Sequence, residues 1–277
     1  MMVGDKFIKK VAAYHQYWVV NKALDRTLVA NSERGDQRAG VVWHMQWSGK
    51  SLSTVFYTGE LMKSRDLHNP TIVVVTDRNN LDGQLFGTFR TCRELLGDSK
   101  QANSRSELRK LLQREAGGII FTTIQKFSPE DDEDSLPVLT DRRNVIVMTD
   151  EAHRSQYGLR AYVRASDAQL VYGYAKYMRD ALPGASYIGF TGTPIETDDK
   201  STPAVFGDYI DIYDVEQAVK DGTTMPIYYE SRLVDLNMHE ATRQWLDKEV
   251  DDLLEGEELN RQDALKAECA QKSYRWQ

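Results

Sequence analysis

Short runs of apolar, often β-branched residues recur along the chain, and polar stretches follow them. Strands that are buried on both faces of a parallel sheet show this pattern, because neither face needs polar side chains. The runs that we interpret as strands are residues 41–43, 71–75, 119–123, 144–149 and 185–190. Longer segments separate them, and the alternation predicts an α/β fold in which helices flank a parallel sheet.

The segments between these runs predict the helices. Residues 7–30 carry apolar side chains at helical spacing. The other segments that we interpret as helices are residues 52–63, 81–96, 104–115 and 168–182. Ser104 and Glu107 form a capping-box pattern. We expect the acidic residues 130–135 to be a surface loop and residues 239–270 to form acidic helices.

Length and composition narrow the class of protein. The 277 residues suit one large α/β domain with an appendage. No apolar run is long enough to cross a bilayer, and the first residues lack a signal-peptide core. The two cysteines, Cys92 and Cys269, are far apart and support neither a disulfide framework nor a zinc site, so we expect a reducing, cytoplasmic setting. The net charge of −7 argues against simple DNA coating but not against a local basic track.

Gly-Lys-Ser at positions 49–51 lies between a predicted strand and a predicted helix. This is the arrangement of a P-loop, in which backbone amides converge on phosphate, the lysine reaches the β and γ phosphates, and the hydroxyl holds Mg²⁺. The match to G-x-x-x-x-G-K-[ST] is incomplete, because His44 replaces the first glycine and Trp47 stands where glycine is common. The alternative interpretation is a chance Gly-Lys-Ser at the start of a helix.

Polar residues also follow other predicted strands, at the end where open α/β sheets bind ligands. Asp150 and Glu151 suit a Mg²⁺ ligand and a group that activates water, although such a pair more often begins a helix. Arg78 and Asn79 suit either a phosphate contact with nucleic acid or a helix cap. Residues 191–193 form a third polar cluster after a strand.

Two further positions complete the set of candidates. Thr123 and Gln125 lie in a polar cluster where another predicted strand ends. Gln16 lies some thirty residues before Lys50, and its carboxamide has the donor and acceptor that match N6 and N7 of adenine. From periodicity alone, Gln16 is instead part of an amphipathic helix that packs on the core.

Several of these motifs occur together in a known family. Gln16, Gly49-Lys50-Ser51, Asp150-Glu151-Ala152-His153 and Thr191-Gly192-Thr193-Pro194 resemble the Q-motif and motifs I, II and III of superfamily 2 helicase-like ATPases. The flanking sequences, such as Val-Thr-Asp-Arg-Asn-Asn-Leu-Asp at 75–82, resemble the motor subunit (R, or HsdR) of type I restriction endonucleases. The resemblance extends to about Leu236 and implies a RecA-like P-loop NTPase fold with an acidic helical C-terminal segment.

The resemblance implies a role for each matching residue. The catalytic residues would be Lys50, Asp150 and Glu151, and the Mg²⁺ ligands Ser51 and Asp150. The residues around ATP would be Gln16, Gln46, Ser48, Gly49, Lys50 and Ser51. Those that couple the γ-phosphate to DNA would be His153, Thr191, Gly192 and Thr193, and those that contact DNA would be Arg78, Asn79, Thr123 and Gln125.

The resemblance also implies how the chain is organised. Residues 1–30 would form an N-terminal helix with the Q-motif, 31–225 the first RecA-like ATPase domain, and 226–277 the start of a linker toward a second RecA-like domain. The nuclease domain and the second RecA-like domain of this family would lie outside the sequence. We therefore expect a fragment that binds ATP but turns it over slowly, because it lacks an arginine finger.

The implied function is ATP-dependent translocation of double-stranded DNA, in a complex with modification and specificity subunits, before the DNA is cleaved. One alternative is another superfamily 2 DNA translocase. A second is a degenerate module that binds nucleotide or partner subunits without turnover. Trp47 favours that module, because a tryptophan in a backbone that needs positive φ or close approach to phosphate would weaken binding. The intact Lys50, Asp150 and Glu151 count against it.

Overall fold

The structure is a computed structural model of the whole chain. It describes residues 2–3, 6–76, 84–129, 136–155, 162–163, 170–171, 174–197 and 200–226. The chain divides into two compact units, Met1–Met225 and Pro226–Gln277. Nearly all described residues belong to the first unit. The predicted loop at 130–135 and the predicted helices at 239–270 lie outside the described residues.

A seven-stranded sheet forms the centre of the first unit, and all of its strand pairs are parallel. We number its strands β1 (Arg38–His44), β2 (Thr71–Thr76), β3 (Ser99–Gln101), β4 (Ile119–Thr123), β5 (Val145–Asp150), β6 (Ser186–Thr191) and β7 (Tyr209–Tyr213). Their order across the sheet is β7-β1-β6-β5-β2-β4-β3. The five predicted strands are therefore all present, and the predicted parallel α/β sheet is confirmed.

Helices cover both faces of the sheet. They are α1 (Tyr14–Asn31), α2 (Lys50–Lys63), α3 (Gln84–Thr91), α4 (Arg93–Leu96), α5 (Arg105–Leu112), α6 (Ala152–Ser155), α7 (Tyr174–Ala181), α8 (Thr202–Phe206) and α9 (Val215–Lys220). None of the described helices is both long enough and apolar enough to span a membrane.

Two hydrophobic clusters fill the space between the sheet and these helices. Alternate residues of β2 show the division, because Ile72 and Val74 pack in one cluster and Val73 and Val75 in the other. The first cluster contains side chains of α1 to α4, and the second contains side chains of α5, α7 and α8. The period of two along a strand thus explains why continuous apolar runs, rather than alternating ones, mark this sheet.

Three predicted helices differ from the observed ones. Residues 7–30 were expected to be helical, but α1 begins at Tyr14. Of the predicted helix 81–96, residues 84–96 form α3 and α4, which are separated at Cys92, and residues 81–83 lie outside the described residues. The prediction for residues 168–182 was wrong in its first part, because Leu170–Val171 pairs as a strand with Tyr162–Val163 and α7 begins only at Tyr174. Gly173, a poor helix former, precedes that start in the sequence.

The capping box at α5 is present in a modified form. The Ser104 hydroxyl accepts a hydrogen bond from the backbone N–H of Glu107 at 3.1 Å. The Glu107 carboxylate in turn accepts from the backbone N–H of Asn103, at 2.8 Å, rather than from that of Ser104. A backbone N–H group of the first helical turn is therefore paired with the Ser104 side chain as predicted, and the reciprocal bond to Glu107 is made one residue earlier than in the standard capping box.

Candidate nucleotide site

Three neighbouring strands bring the predicted motifs to one edge of the sheet. Strand β6 lies between β1 and β5, so Thr191 is opposite Trp43 on one side and Phe190 is opposite Asp150 on the other. Because the strands are parallel, their carboxyl ends meet at the same edge. The predicted P-loop, the Asp150-Glu151 pair and the cluster at 191–193 are therefore adjacent, although they are far apart in the sequence.

The P-loop follows β1 and ends in α2, as predicted. Helix α2 begins at Lys50, and Gly49 precedes it with a left-handed φ of 81° that glycine adopts without strain. The Lys50 ammonium donates to the carbonyl oxygens of His44 at 3.1 Å and Met45 at 3.2 Å. Burial lowers the pKa of Lys50, while the charges of Glu151 and Asp150 act in the opposite direction.

The amides of the loop suit an anion. The backbone N–H groups of Gln46, Gly49, Lys50 and Ser51 donate to no acceptor within the described part of the chain. They cluster at the N-terminus of the 14-residue helix α2, where the helix dipole also favours negative charge. Backbone donors without acceptors beside a half-buried lysine are what a phosphate group needs, so these residues fit the predicted ATP site.

Gln16 lies against the P-loop from helix α1. Its Nε2 donates to the carbonyl oxygen of Gly49 at 3.2 Å, and its Oε1 accepts from the backbone N–H of Ala13 at 2.9 Å. Gln16 is buried, with 6% of the residue exposed, and a Cβ added to Gly49 would lie 2.5 Å from its Nε2. The structure thus shows Gln16 in contact with the loop itself, and its role in selecting adenine stays a prediction.

The acidic pair lies at the end of β5. Burial, and then the charge of Glu151, raise the pKa of Asp150 to about 6. Glu151 has a positive φ of 48°, a conformation that is costly for a residue with a Cβ. The pair is therefore held in a backbone geometry that the local sequence does not favour, which is common where a side chain is positioned for function.

His153 connects the acidic pair to β6. Its Nδ1 is 2.8 Å from the Thr191 hydroxyl and 3.4 Å from Oε2 of Glu151. The Thr193 hydroxyl lies 3.4 Å from the same ring nitrogen. The structure therefore brings together three of the four residues that were predicted to couple the site to DNA.

Gly192, the fourth of these residues, packs against the P-loop. A Cβ at this position would lie 3.3 Å from the Lys50 ammonium and 3.4 Å from the backbone nitrogen of Gln46. The close approach explains why a glycine suits the middle of the cluster, because a side chain would crowd both the lysine and a free loop amide. Ser51 lies one residue after Lys50 in α2 and is half-buried, and Ser48 bonds within the loop to the Met45 carbonyl.

The predicted DNA contacts are placed less favourably. Thr123 is 6% exposed at the end of β4, and Gln125 is half-buried in the short 3₁₀ helix that follows. Oε1 of Gln125 is buried without a hydrogen-bond partner within the described residues. Arg78 and Asn79 lie outside the described residues, so the structure says nothing of their side chains.

Sequence reasoning missed four residues that contact or support the loop. They are His15, His44, Asp211 and Tyr213. His44 was noted only as a replacement for glycine, and β7, which carries Asp211 and Tyr213, was not predicted as a strand. The alternating pattern Tyr-Ile-Asp-Ile-Tyr is a signal for such an edge strand, but its proximity to the loop is visible only in three dimensions.

The fold and the loop define the class of protein: a RecA-like P-loop domain with a parallel sheet, helices on both faces and an acidic pair beside the loop. The chain belongs to the SWI2/SNF2 ATPase family, whose model matches residues 15–263.

The chain is also similar to larger proteins of restriction systems. It is 54% identical, over 91% of its length, to the type I restriction enzyme HindI endonuclease subunit of Haemophilus influenzae. It is 40% identical, over 89% of its length, to the putative type I restriction enzyme MjaIXP endonuclease subunit of Methanocaldococcus jannaschii. The chain spans 24% and 22% of these two relatives, about a quarter of their length.

Among solved structures, the Hef helicase domain of Pyrococcus furiosus matches with a TM-score of 0.46 and 17% identity, over 85% of this chain and 47% of that one. So distant a likeness carries no argument about this chain. The resemblance to superfamily 2 helicase-like ATPases and to HsdR subunits, inferred from the motifs, is confirmed by the family model and the two relatives.

Proposed function

We propose that residues 31–225, with the Q-motif helix before them, are the ATP-hydrolysing motor domain of a type I restriction enzyme R subunit. In the full assembly this domain would bind Mg-ATP and drive double-stranded DNA past the complex before cleavage. The observation that carries the proposal is the adjacency of Lys50, Asp150 and Thr191 at three neighbouring strand ends.

Each side chain of the site has a task in this proposal. Lys50 exchanges its two carbonyl partners for phosphate oxygens, and the free amides at 46 and 49–51 bind the remaining oxygens. Ser51 and Asp150 would hold Mg²⁺, which offsets phosphate charge when it is bound. Glu151 orients water and accepts its proton.

The bond between His153 and Thr191 gives the proposal its link to DNA. His153 contacts both Glu151 and Thr191, so a conformational change near the γ-phosphate can be transmitted to residues 191–193 at the end of β6. Of the predicted DNA contacts, Gln125 is better placed than Thr123, because it is partly exposed whereas Thr123 is buried. Arg78 and Asn79 remain part of the proposal on their sequence pattern alone.

The partners follow from the relatives. Both are named as endonuclease subunits of type I restriction enzymes. We therefore propose that the whole protein works with modification and specificity subunits on double-stranded DNA, in the cytoplasm. The second candidate function, a module that binds nucleotide without turnover, is favoured by one observation: Trp47 has a positive φ of 71° inside the loop.

A Mg-ATP titration of the purified chain, read by isothermal calorimetry, tests the proposal. We expect saturable binding that Lys50→Ala reduces at least a hundredfold, since the substitution removes the charge that faces the phosphates. Lys63→Ala is the matched control, because Lys63 ends the same helix, is exposed and, among the residues that the structure describes, pairs with Glu60 alone. Equal affinities of the wild type and Lys50→Ala would contradict a working P-loop.

A further inference from the structure

Strand β7 holds the first part of the P-loop. The His44 ring is completely buried, and its Nε2 lies 2.9 Å from Oδ2 of Asp211. One residue later, the backbone N–H of Met45 donates to the carbonyl oxygen of Tyr213 at 2.9 Å. The same two residues, His44 and Met45, present the carbonyl oxygens that Lys50 binds. The edge strand therefore positions the groups that hold the lysine.

Helix α1 holds the last part of the loop. Nε2 of His15 donates to the carbonyl oxygen of Ser48 at 3.0 Å, beside the bond from Gln16 to Gly49. The His15 ring stacks on Tyr213, with centroids 4.2 Å apart and planes 14° from parallel. Both parts of the loop are thus tied to one cluster of side chains, which we call the loop anchor: His15, His44, Asp211 and Tyr213.

The charges of the loop anchor favour a strong bond between His44 and Asp211. Burial lowers the pKa of His44, so its ring is neutral and donates from Nε2. Burial raises the pKa of Asp211, but hydrogen bonds from His44 and Lys22 outweigh this effect and lower it, so the carboxylate is ionised. A hydrogen bond to an ionised acceptor is stronger than a neutral one, and removal of the acceptor would leave a fully buried donor unpaired.

The anchor also explains why the loop amides are free. The carbonyl oxygen of Ser48 is bound by α1, and that of Gly49 by α1 and by the first turn of α2, so the N–H groups on the opposite side of these peptide planes, those of Gly49 and Lys50, are left to face a ligand. A loop fixed in this arrangement before binding loses less conformational entropy when phosphate arrives. Nucleotide affinity should therefore depend on side chains that do not touch the nucleotide.

We propose that His15, His44, Asp211 and Tyr213 are positioning residues that hold the P-loop in its phosphate-binding conformation. This inference rests on the proposed nucleotide binding, and it adds residues of β7 to a site that the motifs define only through β1, β5, β6 and α1. None of the four is required to contact ATP. They keep the loop ordered, and the ordered loop binds nucleotide more tightly.

Asp211→Ala tests the first half of the anchor. In the 277-residue chain without nucleotide, we expect amide hydrogen exchange of a peptide covering residues 44–52 to accelerate about tenfold, while a β2 peptide exchanges as in the wild type. Affinity for Mg-ATP should fall about tenfold, the equivalent of roughly 1.4 kcal/mol. Asp211→Asn, which still offers His44 an acceptor, should restore most of both quantities.

Asp208→Asn is the matched control for Asp211. Asp208 immediately precedes β7, its side chain is 92% exposed, and its only ion pair, within the described residues, is a 3.9 Å contact with Arg26. Loss of this carboxylate should change neither the amide hydrogen exchange of the loop nor the affinity for Mg-ATP. A change in either would reveal a general effect of charge near β7.

His15→Phe tests the second half and avoids a cavity around His44. Phenylalanine keeps a ring to stack on Tyr213 but cannot donate to Ser48, so the loop peptide should again exchange several-fold faster and bind Mg-ATP more weakly. Wild-type exchange in both Asp211→Ala and His15→Phe would overturn the inference, as would faster exchange with unchanged affinity. If the wild type binds no Mg-ATP, the proposed function fails, and the exchange data still decide whether the anchor orders the loop.

Discussion

The two sides of the candidate site are built differently. On the P-loop side, the lysine and several loop carbonyls have partners within the protein: Lys50 binds two carbonyl oxygens, and the loop is bonded to α1 and β7, while its amides stay free for a ligand. On the acidic side, burial opposes the ionisation of the Asp150 carboxyl group, and Glu151 has an unfavourable φ of 48°. The protein therefore supplies partners to the cation on the loop side, whereas on the acidic side the burial of the carboxylate is only partly offset.

This difference indicates where ligand binding supplies stability. A carboxylate with a raised pKa gains most when a cation approaches it, because the cation offsets the cost of burial. Lys50 itself gains less, since phosphate must replace carbonyl partners that it already has. We therefore expect Mg²⁺ to act mainly on the acidic side and phosphate mainly on the free amides of the loop, and the following substitutions separate the two sides.

Glu151→Gln should have the largest effect. Glutamine keeps the size of the side chain but cannot accept a proton from water, and loss of a general base typically lowers a rate by about 100-fold or more. Single-turnover hydrolysis of Mg-ATP should slow by that factor while Mg-ATP affinity stays within about threefold of wild type. Glu60→Gln, on the exposed face of α2, is the control. An unchanged rate would remove Glu151 from the proposed mechanism.

Asp150→Asn should stabilise the chain, but only at higher pH. Burial raises the pKa of Asp150 from its ordinary value of 3.8 to about 6, so the folded state resists ionisation. The penalty is absent below about pH 4, where the group is protonated in both states, and complete above about pH 6. After allowance for partial exposure, asparagine should raise the free energy of unfolding by about 2 kcal/mol at pH 8.

Urea denaturation of wild type and Asp150→Asn at pH 4 and pH 8 measures this difference. The two proteins should have similar midpoints at pH 4 and separate at pH 8, with the variant more stable. Added Mg-ATP should stabilise the wild type at pH 8 more than the variant, because the variant lacks the carboxylate that would bind Mg²⁺. A variant that is less stable at pH 8 would mean that Asp150 is already compensated by the protein.

Local sequence patterns were sufficient for most of the sheet and for the motifs on its strand ends. The five buried strands were recognisable because a strand covered on both faces must be apolar along its whole length. Ser99–Gln101 and Tyr209–Tyr213 were missed for the opposite reason: both lie at edges of the sheet, where polar side chains such as Asp211 are tolerated.

The support of the loop could not be predicted from the sequence in the same way. His44 and Asp211 are 167 positions apart, and neither belongs to a spacing that a motif requires. Periodicity predicts which residues are buried, but it does not show which buried polar groups meet. The contact of Gln16 with Gly49 is a further example, because the motif suggested a partner in the nucleotide and the structure shows one in the loop.

Trp47→Gly tests one of the two loop residues, His44 and Trp47, that depart from the P-loop pattern. Trp47 is 95% exposed and has a φ of 71°, so its Cβ strains the backbone of the loop while its ring gains no stabilisation from burial. Glycine removes a strain of about 1 kcal/mol and opens the space beside the phosphates, so Mg-ATP affinity should rise about fivefold. Trp47→Ala separates the causes, because alanine removes the bulk of the ring but keeps the Cβ. Equal affinity of the wild type and Trp47→Gly would show that the bonds from α1 and β7, rather than the residue at this position, determine the shape of the loop.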